Sequence, residues 1–229
     1  MEQLFHHLPT ELTNIIISLV HDYSDLENLI ISFPDLKSLH WPLIYFYTFG
    51  GQYIPSITYE EHLRKIGIYS LKEKLNLDMT IVELDNLKSL YLAGNKLTNV
   101  PKEIGNLKNL EYLDLNNNQL RDIPKETGNL QNLQYLYLSN NQLKDLPKEI
   151  SNLKNLKSLG LSNNQLKDLP KEISNLKNLK SLGLSYNQLT DVPKEISNLK
   201  NLKYLGLSNN QLKGVPKEIK NIAGLTLMT

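Results

Sequence analysis

The chain has 229 residues, 40% of them hydrophobic, which is enough to bury a sizeable core, and it contains no cysteine. A formal net charge of +1 gives no field that would favour nucleic acid or an anionic membrane as a partner. The lack of cysteine excludes disulfides, thiolate metal sites and thiol nucleophiles. We therefore expect a folded, soluble, intracellular protein that binds neither nucleic acid nor membranes.

Charge is distributed unevenly along the chain. Residues 1–80 carry five Lys and Arg against ten Asp and Glu, whereas residues 81–229 carry 20 against 14. This difference predicts two parts of different character. We place an N-terminal helical module at residues 1–48, a helical linker and cap at 49–83, and a repeat region at 84–229.

Two short helices are predicted near the N-terminus. Pro9 precedes apolar residues at helical spacing, so a helix is expected over about 10–21. Ser24 and Asp25 offer the N-cap of a second helix, which Pro34 ends.

This helical pair resembles the F-box, whose opening reads L-P-x-E-L followed by an apolar helix and a D-L-x-x-L helix. In that family the Leu-Pro edge and the following apolar face bind a Skp-type adaptor of a cullin ubiquitin ligase. The resemblance assigns that contact to Leu8, Pro9, Glu11, Leu12, Ile16 and Ile17. An unrelated helical cap and a decayed repeat are the alternatives.

A charged amphipathic helix is predicted from Glu60 to Leu77. Its inward positions are Leu63, Ile66, Leu71 and Leu75. No histidine or carboxylate cluster at ligand spacing and no catalytic motif accompanies these elements. We therefore expect no metal, no cofactor and no enzymatic activity.

The rest of the chain repeats one pattern with a period of 23 residues. The pattern is L-x-x-L-x-L-x-x-N-x-L, and its asparagine recurs at Asn95, Asn118, Asn141, Asn164, Asn187 and Asn210. It is the signature that identifies the leucine-rich repeat. The resemblance implies an α/β solenoid, a horseshoe with a parallel concave sheet and short convex helical turns, capped by the small N-terminal α-helical domain.

Six full repeats begin at Leu84 and at every 23rd residue after it. A seventh starts at Ile222, Leu225 and Met228, and we expect its edge to be frayed or covered by a partner.

Within a repeat, residue type predicts which side chains are buried. Leu110, Leu113 and Leu115 are expected to point inward from a short strand, as are their equivalents. Pro124 should start a helical turn whose inner face is position 127 and Leu130. The repeated asparagine is assigned to the fold, because its amide can bond backbone groups of its own and the neighbouring repeat.

Tyrosines cluster among the outward positions of the first three strands. Tyrosine is a favoured anchor in protein interfaces, although the rings could equally pack only on one another. The candidate target-binding residues are Tyr91, Tyr112, Asp114, Tyr135, Tyr137, Tyr186 and Tyr204.

Together, the two resemblances imply a monomeric substrate receptor that brings a target protein to a cullin-type ubiquitin ligase. The alternative is a leucine-rich repeat scaffold for a small GTPase or another signalling protein, because the 23-residue unit with its proline is similar to Ras-group and scribble-type repeats. Richness in lysine, asparagine and isoleucine, with near-identical repeats, resembles proteins of large DNA viruses or AT-rich protists.

Overall fold

The structure, a computed structural model, describes residues 59–229, except the side chains of residues 59, 60, 62, 63 and 66. Val82–Thr229 form one compact unit, and residues 59–81 belong to a second unit, Met1–Ile81. The predicted adaptor-binding residues Leu8, Pro9, Glu11, Leu12, Ile16 and Ile17 lie outside the described residues.

Helix α1 spans Tyr59–Leu75 and ends two residues before the predicted Leu77. The reason is Asn76, whose φ of 49° is left-handed, so that Leu77 N–H bonds back to the Lys72 carbonyl at 3.0 Å. Leu71 is buried as predicted, whereas Leu75 is half-buried. Ile68, one turn before Leu71, is also buried and was not predicted. The side chains of Leu63 and Ile66 are outside the described set.

Seven parallel strands form one sheet in sequence order, which confirms the predicted solenoid. A five-residue helix, α2 (Ile81–Asp85), precedes it. The strands are β1 (Ser89–Tyr91), β2 (Tyr112–Asp114), β3 (Tyr135–Tyr137), β4 (Ser158–Gly160), β5 (Ser181–Gly183), β6 (Tyr204–Gly206) and β7 (Thr226–Met228). Strands β1 to β6 pair with a shift of 23 residues, so equivalent positions of successive repeats lie side by side.

The core is made of the predicted leucines. Leu110, Leu113 and Leu115 are almost fully buried, and so are their equivalents from the third repeat to the sixth. Each repeat presents them to the repeats on either side, because so short a unit cannot bury its apolar face alone.

A short 3₁₀ helix follows the proline in each of five repeats, where a helical turn was predicted. In the second repeat Thr127 N–H bonds to the Pro124 carbonyl at 3.0 Å, and Thr127 and Leu130 are buried as predicted. The five helices are Lys102–Asn106, Lys125–Asn129, Lys148–Asn152, Lys171–Asn175 and Lys194–Asn198. After Pro216 the turn is instead an α-helix, α3 (Lys217–Lys220).

The repeated asparagines form a hydrogen-bonded ladder through the interior, as predicted. Asn164 Nδ2 donates to the carbonyls of Leu161 and Leu138 at 3.0 and 2.9 Å, and its Oδ1 accepts from Leu143 N–H at 3.0 Å. Four others repeat this arrangement: Asn118, Asn141, Asn187 and Asn210. Asn95 is the exception, since it is exposed and reaches only its own repeat, at Ala93.

The seventh repeat is one residue shorter than the sequence pattern predicted. Leu227 pairs with Leu205, a spacing of 22 residues, so the placement of Met228 in the inward register was wrong. Met228 aligns with Gly206 and is 49% exposed. The missing residue lies between Leu225, whose N–H still bonds to the Ile222 carbonyl, and Leu227 in the strand. Gly224, with a left-handed φ of +68°, comes just before this shortened segment. The frayed or partner-covered edge stays a prediction, which the half-burial of Leu225 and Leu227 favours.

Candidate functional site

The outward side of the sheet has two columns of side chains, fixed by strand register. The first column runs through Ser89, Tyr112, Tyr135, Ser158, Ser181 and Tyr204. The second runs through Tyr91, Asp114, Tyr137, Gly160, Gly183 and Gly206. Large side chains therefore lie over β1 to β3, and small ones over β4 and β5.

Four of the predicted tyrosines meet in one group, here called the tyrosine cluster: Tyr91, Tyr112, Tyr135 and Tyr137. Tyr112 lies at its centre, with ring centroids 5.1 Å from Tyr91, 6.0 Å from Tyr135 and 5.5 Å from Tyr137. These tilted pairs have a favourable aromatic geometry. The rings do pack on one another, as the alternative interpretation holds, yet Tyr91 remains 66% exposed.

Burial raises the pKa of the Tyr112 hydroxyl above its ordinary value, and the negative charge of Asp114 and the neighbouring Tyr137 and Tyr91 add to the rise. The hydroxyl is therefore protonated at neutral pH and can donate a hydrogen bond. Asp114 also has a local structural role, because its Oδ1 accepts from Asn116 N–H at 2.9 Å.

Glycines set the direction of two tyrosine rings. A Cβ on Gly160 would lie 3.1 Å from Cδ1 of Tyr137, and one on Gly206 would lie 3.0 Å from the Tyr204 hydroxyl. Each ring therefore occupies the space that a side chain at the glycine would fill. Sequence reasoning missed this relation, although the change from Tyr137 to glycine at the same repeat position was visible.

The two remaining tyrosines lie apart from the tyrosine cluster. Tyr204 is on β6, and Tyr186 follows β5 with 56% of its surface exposed. Tyr186 has φ +57°, a left-handed conformation that the equivalent residue also adopts in the other full repeats. Asparagine occupies that position at Asn117, Asn140, Asn163 and Asn209. Asparagine tolerates this conformation well and a bulky aromatic residue does not.

Tyr186→Asn should therefore raise the free energy of unfolding, by about 0.5–1 kcal/mol. A urea titration followed by circular dichroism would measure it as a higher midpoint with an unchanged slope. Tyr204→Asn is the control, because Tyr204 lies in a strand and has no left-handed strain to relieve. An unchanged or lower midpoint for Tyr186→Asn would mean that the ring contributes stabilising contacts.

A second asparagine ladder was not predicted. Asn155 Nδ2 donates to the Gln131 carbonyl of the preceding repeat at 2.8 Å, and Asn178 donates to Lys154 at 2.9 Å. Asn109, Asn132 and Asn201 do the same in their repeats. The signal was present, since asparagine occupies this position in five successive copies, whereas the residue before it is lysine in four of them and glutamine in one.

Among residues 59–229, no group of three or more histidines, cysteines or carboxylates could hold a metal ion. No helix in this part of the chain is long and apolar enough to cross a membrane. Its polar side chains instead bond mainly to the backbone of their own or a neighbouring repeat.

Comparison with known families agrees with this geometry. Residues 50–159 and 125–200 match the family model of a leucine-rich repeat region, and residues 201–222 match that of the leucine-rich repeat itself. The chain belongs to the leucine-rich repeat family. No curated protein matches it.

Three solved leucine-rich repeat structures are similar to it. A leucine-rich repeat protein of Leptospira interrogans is 41% identical, with a TM-score of 0.54 over 66% of this chain and 45% of the other. The ectodomain of the Arabidopsis thaliana membrane receptor kinase GASSHO1/SCHENGEN3, solved in complex with CASPARIAN STRIP INTEGRITY FACTOR 2, is 35% identical, with a TM-score of 0.59. That match covers 62% of this chain and 18% of the other.

The third structure, a TDR receptor, is 36% identical, with a TM-score of 0.54 over 57% of this chain and 23% of the other. This leucine-rich repeat chain spans less than half the length of each of these three proteins.

Proposed function

We propose that this leucine-rich repeat protein is a protein-interaction module that holds a protein partner on the outward side of its sheet. The observation that carries the proposal is the tyrosine cluster, in which a half-buried Tyr112 supports an exposed Tyr91. An exposed tyrosine held by other rings has lost much of its freedom before binding, so a partner can bury it at a low entropic cost.

Three further features support this proposal. Tyr186 keeps a strained backbone with an exposed ring, and strain of this kind collects at binding sites. The similar Arabidopsis ectodomain was solved in complex with CASPARIAN STRIP INTEGRITY FACTOR 2. Gly183 on β5 has no aromatic ring in the space that a side chain would fill, so a partner's backbone could lie close to the sheet there.

Tyr112→Ala should weaken partner binding about tenfold or more, because central aromatic residues carry much of the energy of protein interfaces. Affinity purification with the full chain as bait, followed by mass spectrometry, would identify the partners, and their affinities for each variant can then be measured by calorimetry. Lys125→Ala with Lys148→Ala is the matched control, since both lysines are exposed on the 3₁₀-helix side. If the control loses the same partners, or Tyr112→Ala keeps them all, the binding surface is not the outward side of the sheet that carries the tyrosine cluster, here called the tyrosine face.

We further propose that the N-terminal segment binds a Skp-type adaptor, which would make the protein a substrate receptor of a cullin-type ubiquitin ligase. This proposal has support from the sequence alone, in the Leu8-Pro9-Thr10-Glu11-Leu12 segment and the apolar residues after it. The protein would perform no chemistry itself, and the outward face of the sheet would select the target.

Adaptor binding should be lost when Leu8 and Pro9 are both replaced by alanine. A pull-down of the full chain with a purified Skp-type adaptor would measure it, and Thr10→Ala with Thr13→Ala, at positions outside the F-box pattern, is the control. If the wild-type chain fails to bind, or the Leu8 and Pro9 variant binds equally, the link to ubiquitin is removed. The alternative, a scaffold for a small GTPase or other signalling protein, then gains support, provided that deletion of residues 1–48 leaves the partner bound.

A further inference from the structure

The net positive charge of the repeats is concentrated on one side of the sheet, where the strands begin. Residues 82–229 contain 20 Lys and Arg against 14 Asp and Glu, an excess of six. Six lysines lie in the L-K-N-L-K segments that lead into β4, β5 and β6, and we call them the lysine edge: Lys154, Lys157, Lys177, Lys180, Lys200 and Lys203. Outside the lysine edge, the positive and negative residues of the repeats balance. A directional positive field is therefore built into this edge of the last three full repeats.

One lysine of each pair belongs to the fold. Lys154 Nζ donates to the Ser151 carbonyl at 2.7 Å, and Lys177 makes the same bond to Ser174. Lys200 Nζ donates to the Ser197 carbonyl at 3.0 Å. These ammonium groups satisfy carbonyls at the ends of the 3₁₀ helices, where a positive charge is favourable.

The other lysine of each pair is used less by the fold. Lys157 donates to Gln134 Oε1 at 2.7 Å. Lys180 and Lys203 are exposed, and within residues 59–229 no carboxylate lies at ion-pair distance from either. Neighbouring strands are about 4.8 Å apart, so equivalent lysines on adjacent repeats are close enough to repel one another. An anionic ligand would relieve that repulsion.

A groove of about 510 Å³ runs along the same edge. It is lined by four asparagines of the second ladder, Asn132, Asn155, Asn178 and Asn201, and towards β4 and β5 by Lys157 and Lys180. The amide nitrogens of these asparagines donate to backbone carbonyls at 2.8–2.9 Å. Their amide oxygens accept no hydrogen bond from any described residue, so the groove combines a row of acceptors with cationic donors.

We propose that this groove binds an extended acidic peptide segment of a protein. Carboxylates of the segment pair with Lys157 and Lys180, which line the groove, and with Lys203 at the equivalent position of the next repeat. The backbone N–H groups of the segment donate to the asparagine oxygens. The site lies on the edge of the sheet and not on the tyrosine face. It goes beyond the proposed function and does not depend on what the tyrosine face binds.

The chemistry of the groove favours a peptide over a nucleic acid. The phosphodiester backbone of DNA offers acceptors and no donors, whereas a peptide backbone supplies one N–H per residue that can donate to the row of asparagine oxygens. The groove is also lined by Glu111. Its carboxylate forms an ion pair with Lys88 Nζ at 3.2 Å and accepts a hydrogen bond from Gln134 Nε2 at 3.1 Å. A carboxylate at that end disfavours a uniformly charged polyanion, while a peptide can place a neutral or basic residue there.

The probe for this proposal is a short fluorescein-labelled peptide of alternating glutamate and serine, titrated with the full chain at low salt and followed by fluorescence anisotropy. Lys180→Glu with Lys203→Glu should weaken binding about tenfold, because two attractive charges become repulsive. The control is Lys144→Glu with Lys167→Glu, which changes the net charge equally at two exposed lysines beyond the other ends of the strands. It should change affinity by about twofold or less.

The proposal is overturned if the wild-type chain does not bind the peptide, or if both double variants weaken binding equally, since only net charge would then matter. Tyr91→Ala should leave peptide binding unchanged, which separates this site from the tyrosine face. A loss of peptide binding in Tyr91→Ala would place the peptide on that face and also contradict the proposal.

Two more probes test the class of ligand. A peptide of the same sequence with N-methylated backbone amides keeps every carboxylate and should bind several-fold more weakly, because the donors to the asparagine oxygens are gone. Equal affinity would contradict the peptide-backbone contact. A single-stranded DNA of the same net charge should bind more weakly than the unmodified peptide, and tighter binding that is also lost in the Lys180 and Lys203 variant would replace the proposal with a general polyanion site.

Discussion

Asn164→Ala should lower the free energy of unfolding by about 2–4 kcal/mol, because the side chain bonds backbone groups in the interior of the repeats. The side chain is buried, donates to the carbonyls of Leu138 and Leu161 and, at 3.4 Å, to that of Ser162, and accepts one hydrogen bond. The carbonyls of Leu138 and Leu161 would remain hydrogen-bonded in the variant, because they also accept from the side-chain amides of Asn141 and Asn187, respectively. The Leu143 N–H has no other partner, so its unpaired burial is the largest part of the expected loss.

The matched control for Asn164→Ala is Asn95→Ala. Asn95 occupies the same repeat position, but it is exposed and makes one long bond of 3.4 Å to Ala93. Its replacement should change stability by no more than about 0.5 kcal/mol. Urea unfolding followed by circular dichroism would compare the two. Equal losses would show that the ladder contributes nothing beyond the local turn.

Asn164→Asp separates the ladder from simple loss of volume. A carboxylate is nearly the same size as the amide but cannot donate to the carbonyls of Leu138 and Leu161. Ionised, it would place a buried negative charge beside two carbonyl oxygens, and we expect it to destabilise at least as much as alanine. A neutral effect of aspartate would contradict the donor role of the amide.

The repeat core was predictable from the sequence because a 23-residue period averages out local ambiguity. A single L-x-x-L-x-L segment is compatible with several structures, but six in register allow only positions that stack. The burial of Leu113 and its equivalents and the interior role of Asn141 follow from that stacking. The helical turns after proline were predicted for a similar reason, since proline fixes the backbone at the same point in every copy.

Two features of the repeats were not predicted from the sequence: the register of β7 and the second asparagine ladder. The register of β7 depended on a one-residue shortening after Gly224, which the leucine pattern cannot detect because both Leu227 and Met228 are apolar. The second asparagine ladder looked like a series of exposed polar residues, because each bond crosses 24 residues of chain. A side chain that bonds only to a neighbouring repeat has no local signature, so its recurrence every 23 residues was the one available signal.

The candidate site was predictable in position but not in geometry. Strand alternation placed Tyr112 and Tyr137 on one face, and the register brought them together. The position of the Tyr137 ring over Gly160, by contrast, depends on the absence of a side chain at Gly160, on the neighbouring strand β4. Likewise, the sequence shows a tyrosine at Tyr186 where most other repeats have asparagine, but only the backbone angles show that this residue is strained.

Leu159→Ala should cost about 2–5 kcal/mol in the free energy of unfolding. Leu159 is fully buried in β4 and is paired with Leu136 on one side and Leu182 on the other. Both neighbours are held by the same 23-residue register, so neither can move into the cavity without shifting its own repeat. The loss should therefore lie towards the upper part of that range, as at sites that collapse poorly.

The matched comparison is Leu227→Ala at the equivalent position of β7, where the leucine is only half-buried and its described strand neighbour is Leu205 alone. It should cost about 1 kcal/mol, since less apolar surface returns to water and the site is open. In an array of repeats, stability comes largely from the interfaces between neighbouring repeats. A cavity in a central repeat weakens the interfaces on both of its sides, so the repeats before it and after it can unfold separately. We therefore expect Leu159→Ala also to broaden the urea transition, or to split it in two, while Leu227→Ala only shifts the midpoint. Equal costs and equally sharp transitions for the two variants would mean that the repeats unfold as one globular core and not as coupled neighbours.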